Sequence, residues 1–301
     1  MLPFSRVSII GLGLIGSSIA HAVRERMPTV RLTGHDASAE VRAIADALEL
    51  VDDVADTPGA AVTDADLVIL CVPVCAMGAV AAEIAADLPA EAIVSDVGSC
   101  KAEVAAALAE ALPGANVIPA HPVAGTERSG PEAGFASLFA GRWCIVTPPE
   151  GADPIAAERV AEFWRRLGSQ VETMAPDHHD RVLAVTSHLP HLIAYTIVGT
   201  ASDLEEVTSS EVIKFSAGGF RDFTRIAASD PTMWRDVFLS NKEAVLEMLQ
   251  RFSEDLSQLQ RAIRWGDGDA LFEHFTKTRA IRRSIVEQGQ DDAAPDFGRR
   301  H

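Results

Sequence analysis

Positive charge is scarce in this chain of 301 residues. Lysine and arginine together number 26 against 43 aspartate and glutamate residues, which gives a formal net charge of −17 and a pI near 4.9. An acidic surface repels phosphate backbones. The composition therefore argues against a nucleic-acid-binding protein.

Cysteine is also rare, and its spacing excludes the common metal motifs. The four cysteines form no C-x-x-C pair and have no histidine at metal-ligand spacing. They are Cys71, Cys75, Cys100 and Cys144. Cys71 and Cys75 bracket the end of an apolar run, where a small buried hydrophobic residue is expected. We expect neither a bound metal nor an oxidising compartment.

Long apolar runs are absent as well. No run reaches the roughly 20 residues of a membrane span. The N-terminal sequence MLPFSRVSII lacks the basic segment and long apolar stretch of a signal peptide. Hydrophobic residues make up 48% of the chain, enough for a sizeable core in two domains or one large one. These features predict a soluble, cytoplasmic protein.

The first half of the chain alternates between short apolar runs and alanine-rich helical stretches. Gly, Pro or Asp residues bound most of the apolar runs, which is typical of parallel strands buried on both faces. The predicted strands are 7–10, 30–34, 67–72, 92–96, 116–119 and 143–147, and the predicted crossover helices include 14–26, 76–86 and 102–111. This alternation predicts an α/β domain with a doubly wound parallel sheet of the Rossmann type.

The pattern changes near residue 175. From there to about residue 288 the spacing is helical, for example over 236–263, and few strand-like runs remain. The apolar content exceeds what one helical layer needs, so part of that surface is expected to meet a second copy of the chain in a homodimer. The predicted organisation is a dinucleotide-binding domain over 1–174, an all-α substrate and dimerisation domain over 175–290, and a disordered tail over 291–301.

A glycine-rich turn follows the first predicted strand. Gly11, Gly13 and Gly16 have G-x-G-x-x-G spacing and open the first helical stretch. Gly11 permits the tight turn, Gly13 lets the backbone approach a pyrophosphate, and Gly16 lets helix and strand pack closely. The helix N-terminus, with Leu14 and Ile15, offers N–H groups and a partial positive charge to phosphates. The context predicts a dinucleotide site, the alternative being a structural turn.

Asp36 ends the second predicted strand, twenty residues after Gly16. A carboxylate there accepts hydrogen bonds from the adenine ribose hydroxyls and repels a 2′-phosphate. The next three residues, Ala37, Ser38 and Ala39, include no arginine that could bind such a phosphate. NAD is therefore favoured over NADP, unless Asp36 is only a surface aspartate.

Polar residues follow the next two strands of the predicted sheet. In the segment S-D-V-G-S-C-K, Ser99 and Lys101 are placed to face the ligand crevice at the carboxyl ends of the strands, and Ser99 could also cap the helix that follows. His121 lies among turn-forming residues and is expected on a loop, where it could take a proton from a hydroxyl during hydride transfer. Glu127 and Arg128 could equally form a solvated loop surface. The residues alone leave catalytic and structural roles for His121 open.

The helical half contains two further polar segments. In S-H-L-P-H, residues 187–191, His188 and His191 share a helix face, but no further metal ligand lies nearby. In G-G-F-R-D-F-T-R, residues 218–225, Arg225 could clamp a substrate carboxylate with two parallel hydrogen bonds. The alternative is a salt-bridged surface turn. Trp234 is more typical of core or interface packing.

Five segments together resemble the prephenate/arogenate (cyclohexadienyl) dehydrogenase family. They run in order from about residue 5 to 285: G-L-G-L-I-G-S-S, D-V-G-S-x-K, H-P-V-A-G-T-E-R-S-G, S-H-L-P-H, and G-G-F-R-D-F-T-R-I-A-x-S-D-P-x-M-W. The resemblance implies a Rossmann-type domain followed by a helical dimerisation domain. It also implies NAD as the cofactor and a homodimer.

The resemblance further implies roles for individual residues. His121 corresponds to the catalytic histidine bonded to the ring hydroxyl of the substrate, and Ser99 to the serine that shares this contact. His191 corresponds to a histidine that lines the pocket, with Ser187 and His188 beside it.

Four other residues match the family's pattern. Arg225 corresponds to the arginine that holds the ring carboxylate, and Asp222 and Glu127 to polar residues that organise or gate the pocket. Trp234 matches a position near the partner subunit's site.

The implied activity is oxidative decarboxylation with NAD. Prephenate would give 4-hydroxyphenylpyruvate and arogenate would give tyrosine, and the residues do not choose between these substrates. Two alternatives stay open: another Rossmann-type hydroxyacid dehydrogenase, and a protein that binds NAD without turnover.

Overall fold

The computed structural model describes residues 2–126, 128–203 and 218–287. Two compact units divide the chain, Met1–Val245 and Leu246–His301. The expected tail over 291–301 lies outside the described residues.

The first unit is built on a parallel six-stranded sheet. Its strands are β1 (Arg6–Ile10), β2 (Arg31–His35), β3 (Asp53–Val54), β4 (Leu67–Leu70), β5 (Ile93–Asp96) and β6 (Asn116–Val117), in the order β3-β2-β1-β4-β5-β6. The chain crosses from β3 back to β4 beside β1, which is the strand-order reversal that creates a ligand crevice in doubly wound sheets. The predicted Rossmann-type sheet is confirmed.

Helices connect these strands and cover both faces of the sheet. They are α1 (Leu14–Arg26), α2 (Ala39–Ala47), α3 (Pro58–Val62), α4 (Met77–Ile84) and α5 (Ala102–Ala111). Successive side chains of a strand point to opposite faces. Accordingly, Ile9 packs into one hydrophobic cluster together with Ile19 of α1, whereas Ile10 packs into a second cluster together with Ile84 of α4.

A second, three-stranded sheet follows. It consists of β7 (Ala120–Pro122), β8 (Trp143–Val146) and β9 (Gln170–Thr173), with α6 (Pro154–Arg166) between the last two. β7 and β8 pair antiparallel, and β8 and β9 pair parallel. The strand predicted over 143–147 therefore exists but belongs to this sheet rather than to the parallel one. Apolar periodicity reveals a strand and not its partner, so the sequence could not distinguish the two sheets.

The chain then becomes helical, as expected. One continuous helical segment contains α7 (Pro176–Leu183), a π-helical turn (Ala184–His188) and α8 (Leu189–Asp203). After the undescribed residues 204–217 come α9 (Gly218–Thr224), a 3₁₀ turn (Arg225–Ala228) and α10 (Pro231–Ser240).

The helical segment Pro176–Asp203 corrects the expectation that no segment is apolar enough to span a membrane. Its most apolar window of 18 residues has a mean hydropathy of 1.4. By length and composition alone this suffices, although the core helix of a soluble protein passes the same test. The segment carries His179, Asp180 and His188 as buried side chains with hydrogen-bond partners within the protein.

Helix α11 (Lys242–Trp265) runs from the end of the first unit into the second. The helical spacing over 236–263 is interrupted at Asn241, whose φ of −104° and ψ of 33° separate α10 from α11. Helix α12 (Gly268–Glu287) completes the described part of the second unit. Exposed apolar side chains are frequent on these last two helices: Leu246, Leu256, Ile263, Trp265, Phe272, Phe275 and Ile281.

Candidate active site

The segment from the end of β1 into the first turn of α1 can be built only with glycine at two positions. Gly11 has a φ of +99°, and a β-carbon there would lie 2.4 Å from the carbonyl oxygen of Cys71. A β-carbon on Gly16 would lie 2.0 Å from the carbonyl oxygen of Gly11. These contacts correspond to the tight turn and the close helix–strand packing expected of a dinucleotide fingerprint.

Gly13 has the opposite environment. A β-carbon on Gly13 would meet no atom of the described residues within 4 Å. Gly13 is the N-cap of α1, no side chain caps the helix, and its first turn contains no acidic residue. Gly13, Leu14 and Ile15 are all partly exposed. The start of the helix is thus accessible and bears the positive end of the helix dipole, which suits the pyrophosphate of a dinucleotide.

Asp36 follows β2 at the carboxyl edge of the sheet, beside the glycine turn. Its Oδ2 accepts a hydrogen bond of 2.9 Å from the Leu12 N–H, and its Oδ1 accepts one of 2.9 Å from the Ser38 N–H. Each carboxylate oxygen keeps a lone pair for a ribose hydroxyl. The Arg42 guanidinium donates to the Asp36 carbonyl oxygen at 2.7 Å, so an arginine does lie nearby, on α2. Arg42 lies six residues after Asp36, beyond the three residues on which the expectation of NAD rested.

Lys101 does not face the crevice, contrary to the sequence-based expectation. Its side chain is fully buried, and its ammonium group pairs with the carboxylate of Asp96 and donates to the Ala120 carbonyl oxygen at 2.8 Å. A lysine at 0% exposure requires such partners, since an unpaired buried charge is very costly. Lys101 therefore joins the end of β5 to the start of β7.

The expected cap by Ser99 is also wrong. Helix α5 begins at Ala102, three residues later, and no residue of its own N-terminus provides a side-chain cap. The side chain of Asp180 caps the helix instead. Its Oδ1 accepts a hydrogen bond from the Lys101 N–H at 2.8 Å, and its Oδ2 accepts one from the Ala102 N–H at 2.9 Å. Ser99 lies partly exposed in the loop after β5, at the carboxyl edge of the sheet. It therefore remains available to a ligand in the crevice.

His121 lies on strand β7 rather than on a loop, and it is 8% exposed. The turn formers around it misled the prediction, because β7 is only three residues long and its backbone pairs across to Ile145 of β8. Nδ1 of His121 lies 2.9 Å from Nε2 of His179. Nδ1 of His179 lies 2.8 Å from Oδ1 of Asp180. Three buried side chains thus form one chain of hydrogen bonds.

His179 and Asp180 were not identified from the sequence. They lie 58 and 59 positions after His121, on a different element, and only the fold brings them together. The one local signal is the adjacent His-Asp pair near the start of α7.

The environment keeps both His121 and His179 uncharged near neutral pH. Burial lowers the pKa of His121 well below 6.5, and His179, Lys101 and His188 lower it further. Burial also lowers the pKa of His179, although the hydrogen bond to Asp180 opposes this effect. Burial acts to raise the pKa of Asp180, but the hydrogen bonds from His179, Ala102 and Lys101 outweigh it, so this pKa is lowered. Asp180 is therefore a carboxylate.

His188 is fully buried at the end of the π-helical turn. Its Nδ1 lies 3.1 Å from Nδ2 of Asn241, which also donates to the Asp180 carbonyl oxygen at 2.8 Å. Burial lowers the pKa of His188 to about 4. Asn241 was not identified from the sequence, and its amide ties the junction of α10 and α11 to this histidine cluster.

His191 and Trp234 form a stacked pair, with ring centroids 3.7 Å apart and an interplanar angle of 24°. Nδ1 of His191 lies 2.9 Å from the Ser187 carbonyl oxygen, so Ser187 orients the ring through its backbone. Trp234 is 6% exposed, in agreement with packing as its main role.

Arg225 stands close enough to His191 to influence it electrostatically. Burial lowers the pKa of His191, the hydrogen bond to the Ser187 carbonyl opposes this, and the charge of Arg225 lowers it further. Arg225 itself is exposed, at the start of a 3₁₀ turn that packs against α8. A guanidinium thus lies beside the pocket histidine while remaining accessible to an anion.

Asp222 and Glu127 are the two remaining residues expected at the site. Asp222 is exposed on α9, and its Oδ2 would lie 3.8 Å from a β-carbon on Gly218. Glu127 lies outside the described residues. Within the described ranges, no three His, Cys, Asp or Glu side chains come together in a way that could hold a metal ion.

Two family models match the chain consecutively. The model for the nucleotide-binding domain of prephenate dehydrogenase matches residues 19–173, and the model for the dimerization domain of prephenate dehydrogenase matches residues 175–277. The two domains correspond to the parallel-sheet and helical portions of the fold.

Individual relatives agree with these matches. The cyclohexadienyl dehydrogenase of Zymomonas mobilis is 45% identical over 285 residues, which cover 95% of this chain and 97% of that protein. The crystal structure of prephenate dehydrogenase from A. aeolicus, in complex with hydroxyphenyl propionate and NAD+, superimposes with a TM-score of 0.86 at 34% identity and covers 93% of this chain and 98% of that one. The Synechocystis arogenate dehydrogenase has a TM-score of 0.80 at 25% identity, covering 93% and 99%.

These matches extend over nearly the whole chain, and the two family models cover the ranges that contain His121 and Arg225. The chain therefore belongs to the prephenate dehydrogenase family.

Proposed function

We propose that this chain catalyses the NAD-dependent oxidative decarboxylation of prephenate to 4-hydroxyphenylpyruvate, of arogenate to tyrosine, or of both, in tyrosine biosynthesis. The observation that carries the proposal is the state of His121. Its Nδ1 is engaged by His179, and its Nε2 has no hydrogen-bond partner among the described residues. A neutral imidazole with one free nitrogen is a competent general base.

The dinucleotide site fits NAD. Gly13, Leu14 and Ile15 form the accessible start of α1, and the buried Gly11 and Gly16 allow the tight turn and close packing behind it. The space beside Gly13 would hold the pyrophosphate. Asp36 would accept hydrogen bonds from the ribose hydroxyls and disfavour a 2′-phosphate. Bound NAD would supply the hydride acceptor of the reaction.

The residues around the crevice would divide the remaining work. Nε2 of His121 takes the proton of the ring hydroxyl as a hydride leaves the carbon that bears this hydroxyl, which turns that carbon into a ketone carbon. The C–CO₂ bond at the opposite end of the ring then breaks, and its electron pair moves into the ring to give an aromatic phenolate. The proton held on Nε2 of His121 can return to the phenolate oxygen. Ser99 provides a second hydrogen bond to the hydroxyl and keeps it in line with His121.

Binding of the substrate would fall to the helical half. Arg225 holds the ring carboxylate with its guanidinium until carbon dioxide leaves. His191 lines the pocket, and Ser187 and His188 support it from the same helical segment. Asp222 and Glu127 would organise or gate the pocket.

We also propose the assembly and location of the protein. The apolar residues exposed on α11 and α12 suit a homodimer, in keeping with the dimerization-domain match. We place the boundary between the two domains at residue 174, where the two family matches meet. The four free thiols and the biosynthetic relatives favour the cytoplasm.

One assay tests the proposed function. NADH formation is followed by absorbance with purified protein, with prephenate or arogenate, and with NAD or NADP. We expect turnover with NAD and at least one of the two substrates, and much weaker turnover with NADP. Binding of NAD without any NADH formation would instead indicate a non-catalytic NAD-binding protein. Turnover of a simple hydroxyacid alone would indicate a different dehydrogenase.

A further inference from the structure

The hydrogen-bond chain from His121 to Asp180 has a defined direction. Asp180 is a carboxylate and can only accept, so Nδ1 of His179 carries the proton of the bond between them. A neutral His179 then has a lone pair on Nε2, which accepts the hydrogen bond from Nδ1–H of His121. His121 therefore holds its own proton on Nδ1 and presents a lone pair on Nε2.

We propose that His179 and Asp180 are positioning residues that fix this tautomer of His121 and stabilise its imidazolium during the reaction. This inference rests on the proposed function, since it assigns how the base of that same site is prepared. The proton arrives at Nε2 of His121 from the ring hydroxyl. Nδ1–H of His121 stays hydrogen-bonded to Nε2 of His179, and no proton has to reach Asp180.

The charges around His121 explain why such support is needed. Burial is the main effect that disfavours a positive charge on the ring of His121, and the ammonium group of Lys101 adds to it. The nearby anion Asp96 is already paired with Lys101, and the Cys144 thiol packed against the backbone of His121 stays neutral because burial raises its pKa. Among the described residues, Asp180 is thus the counter-charge that can act on a buried imidazolium, through His179.

Asp180 is itself held rigidly. In addition to His179, its two oxygens accept the N–H groups of Lys101 and Ala102 at the start of α5. Asn241 donates to its backbone carbonyl. The Asp180 carboxylate therefore connects His121, through His179, to the loop that carries Ser99. It holds His121 and Ser99, which would both contact the ring hydroxyl, in a fixed relative position.

Two substitutions of His179 separate the effect of losing its hydrogen bond to His121 from the effect of changing the volume of its side chain. His179→Leu removes the acceptor for Nδ1–H of His121, whereas the amide oxygen of His179→Gln can occupy the position of Nε2 and accept the same hydrogen bond. We expect His179→Leu to lower kcat by about 100-fold or more, the scale of general acid–base assistance, with KM and NAD affinity nearly unchanged. His179→Gln should recover at least about tenfold of that loss. His178, exposed next to it on α7, gives the control His178→Leu, which should leave kcat unchanged.

The outcomes distinguish this inference from the proposed function. If the wild type turns over the substrate and folded His179→Leu does so at a similar rate, the positioning role of His179 and Asp180 is wrong while the function stands. If the wild type forms no NADH, the function itself fails, but the next measurement still tests which tautomer His179 and Asp180 impose on His121. A merely structural role for His179 would lower thermal stability and NAD binding together with kcat, and would give no recovery in His179→Gln.

A spectroscopic measurement on the unmodified protein needs no variant to fold. Histidine side-chain ¹⁵N NMR at neutral pH reports which ring nitrogen bears the proton. We expect the proton of His121 on Nδ1 and that of His179 also on Nδ1. A His121 that carries its proton on Nε2 would overturn the proposal.

Discussion

A β-carbon on Gly16 would lie 2.0 Å from the carbonyl oxygen of Gly11, so helix α1 packs directly against the turn that precedes it. Gly13, between these two residues, has open space at the same position. The glycines of one motif thus serve two separate purposes, close packing at Gly11 and Gly16 and ligand access at Gly13.

Alanine substitutions should separate these purposes. Gly16→Ala forces the turn and the helix apart, and we expect a loss of about 1–3 kcal/mol in the free energy of unfolding, the usual cost of overpacking. Gly13→Ala has no steric conflict within the protein and should keep its stability, yet its methyl group would occupy the place of the pyrophosphate and weaken NAD binding. Denaturant unfolding and calorimetric NAD titration of both variants measure the two effects. Loss of stability in Gly13→Ala and not in Gly16→Ala would contradict this division.

His121→Asn should remove the base without disturbing binding. We expect kcat to fall by at least about 100-fold, while KM for the substrate changes little. Steady-state NADH formation gives both constants, and NAD titration confirms that the variant is folded. An unchanged kcat would exclude His121 as the base.

Arg225→Ala should act mainly on substrate binding. The guanidinium is exposed beside His191, where it can hold a carboxylate, so its removal should raise KM by about tenfold or more, as expected for losing a charge-assisted bidentate pair. The exposed Arg221, one turn earlier on α9, provides the control Arg221→Ala, which should leave KM unchanged. If KM stayed the same in Arg225→Ala, the carboxylate clamp would have to be assigned elsewhere.

The buried histidines should make the protein sensitive to acid. His121, His179 and His188 all have pKa values below 6.5 in the folded protein, so the unfolded chain binds more protons as the pH falls. Their stabilising contribution is complete above pH 6.5 and is lost as the pH falls toward the folded pKa, which is about 4 for His188. At about pH 5 the loss from His188 alone is on the order of 2 kcal/mol. Denaturant unfolding at about pH 7.5 and about pH 5 tests this prediction, and equal stabilities would show that these rings are not buried in neutral form.

The exposed apolar residues of α11 and α12 predict a concentration-dependent assembly. Trp265 and Phe272 are 76% and 75% exposed in the single chain. Phe272→Glu places a charge within this apolar surface, so we expect it to shift the protein from dimer to monomer. Sedimentation at several protein concentrations measures this shift, and circular dichroism checks that the variant keeps its helices. A wild-type protein that stays monomeric throughout would refute the proposed assembly.

The sequence was most informative where one short segment determines the geometry. Gly11, Gly13, Gly16 and Asp36 could be interpreted because strand, turn and helix follow each other directly, and the parallel strands were visible as apolar runs. The second sheet was not visible, because the pairing of His121 with Ile145 depends on a chain reversal over more than twenty residues.

The site was less predictable where distant segments meet. Lys101 was expected in the crevice, yet its four-carbon side chain reaches back to Asp96 inside the protein. His179 and Asp180 have no motif that marks them, since their role comes from tertiary packing of α7 against β7 and α5. Side-chain direction and long-range contacts therefore had to come from the structure.

In the mechanism that we propose, His121 and Arg225 face opposite ends of one ring that lies beside the nicotinamide. A crystal structure of the protein with NAD and 4-hydroxyphenylpyruvate tests it most directly. We expect the 4-hydroxyl to lie within hydrogen-bond distance of Nε2 of His121 and the other end of the ring to point toward Arg225. A ligand whose hydroxyl contacts Arg225, or that binds in a cavity away from His121 and the dinucleotide, would contradict it.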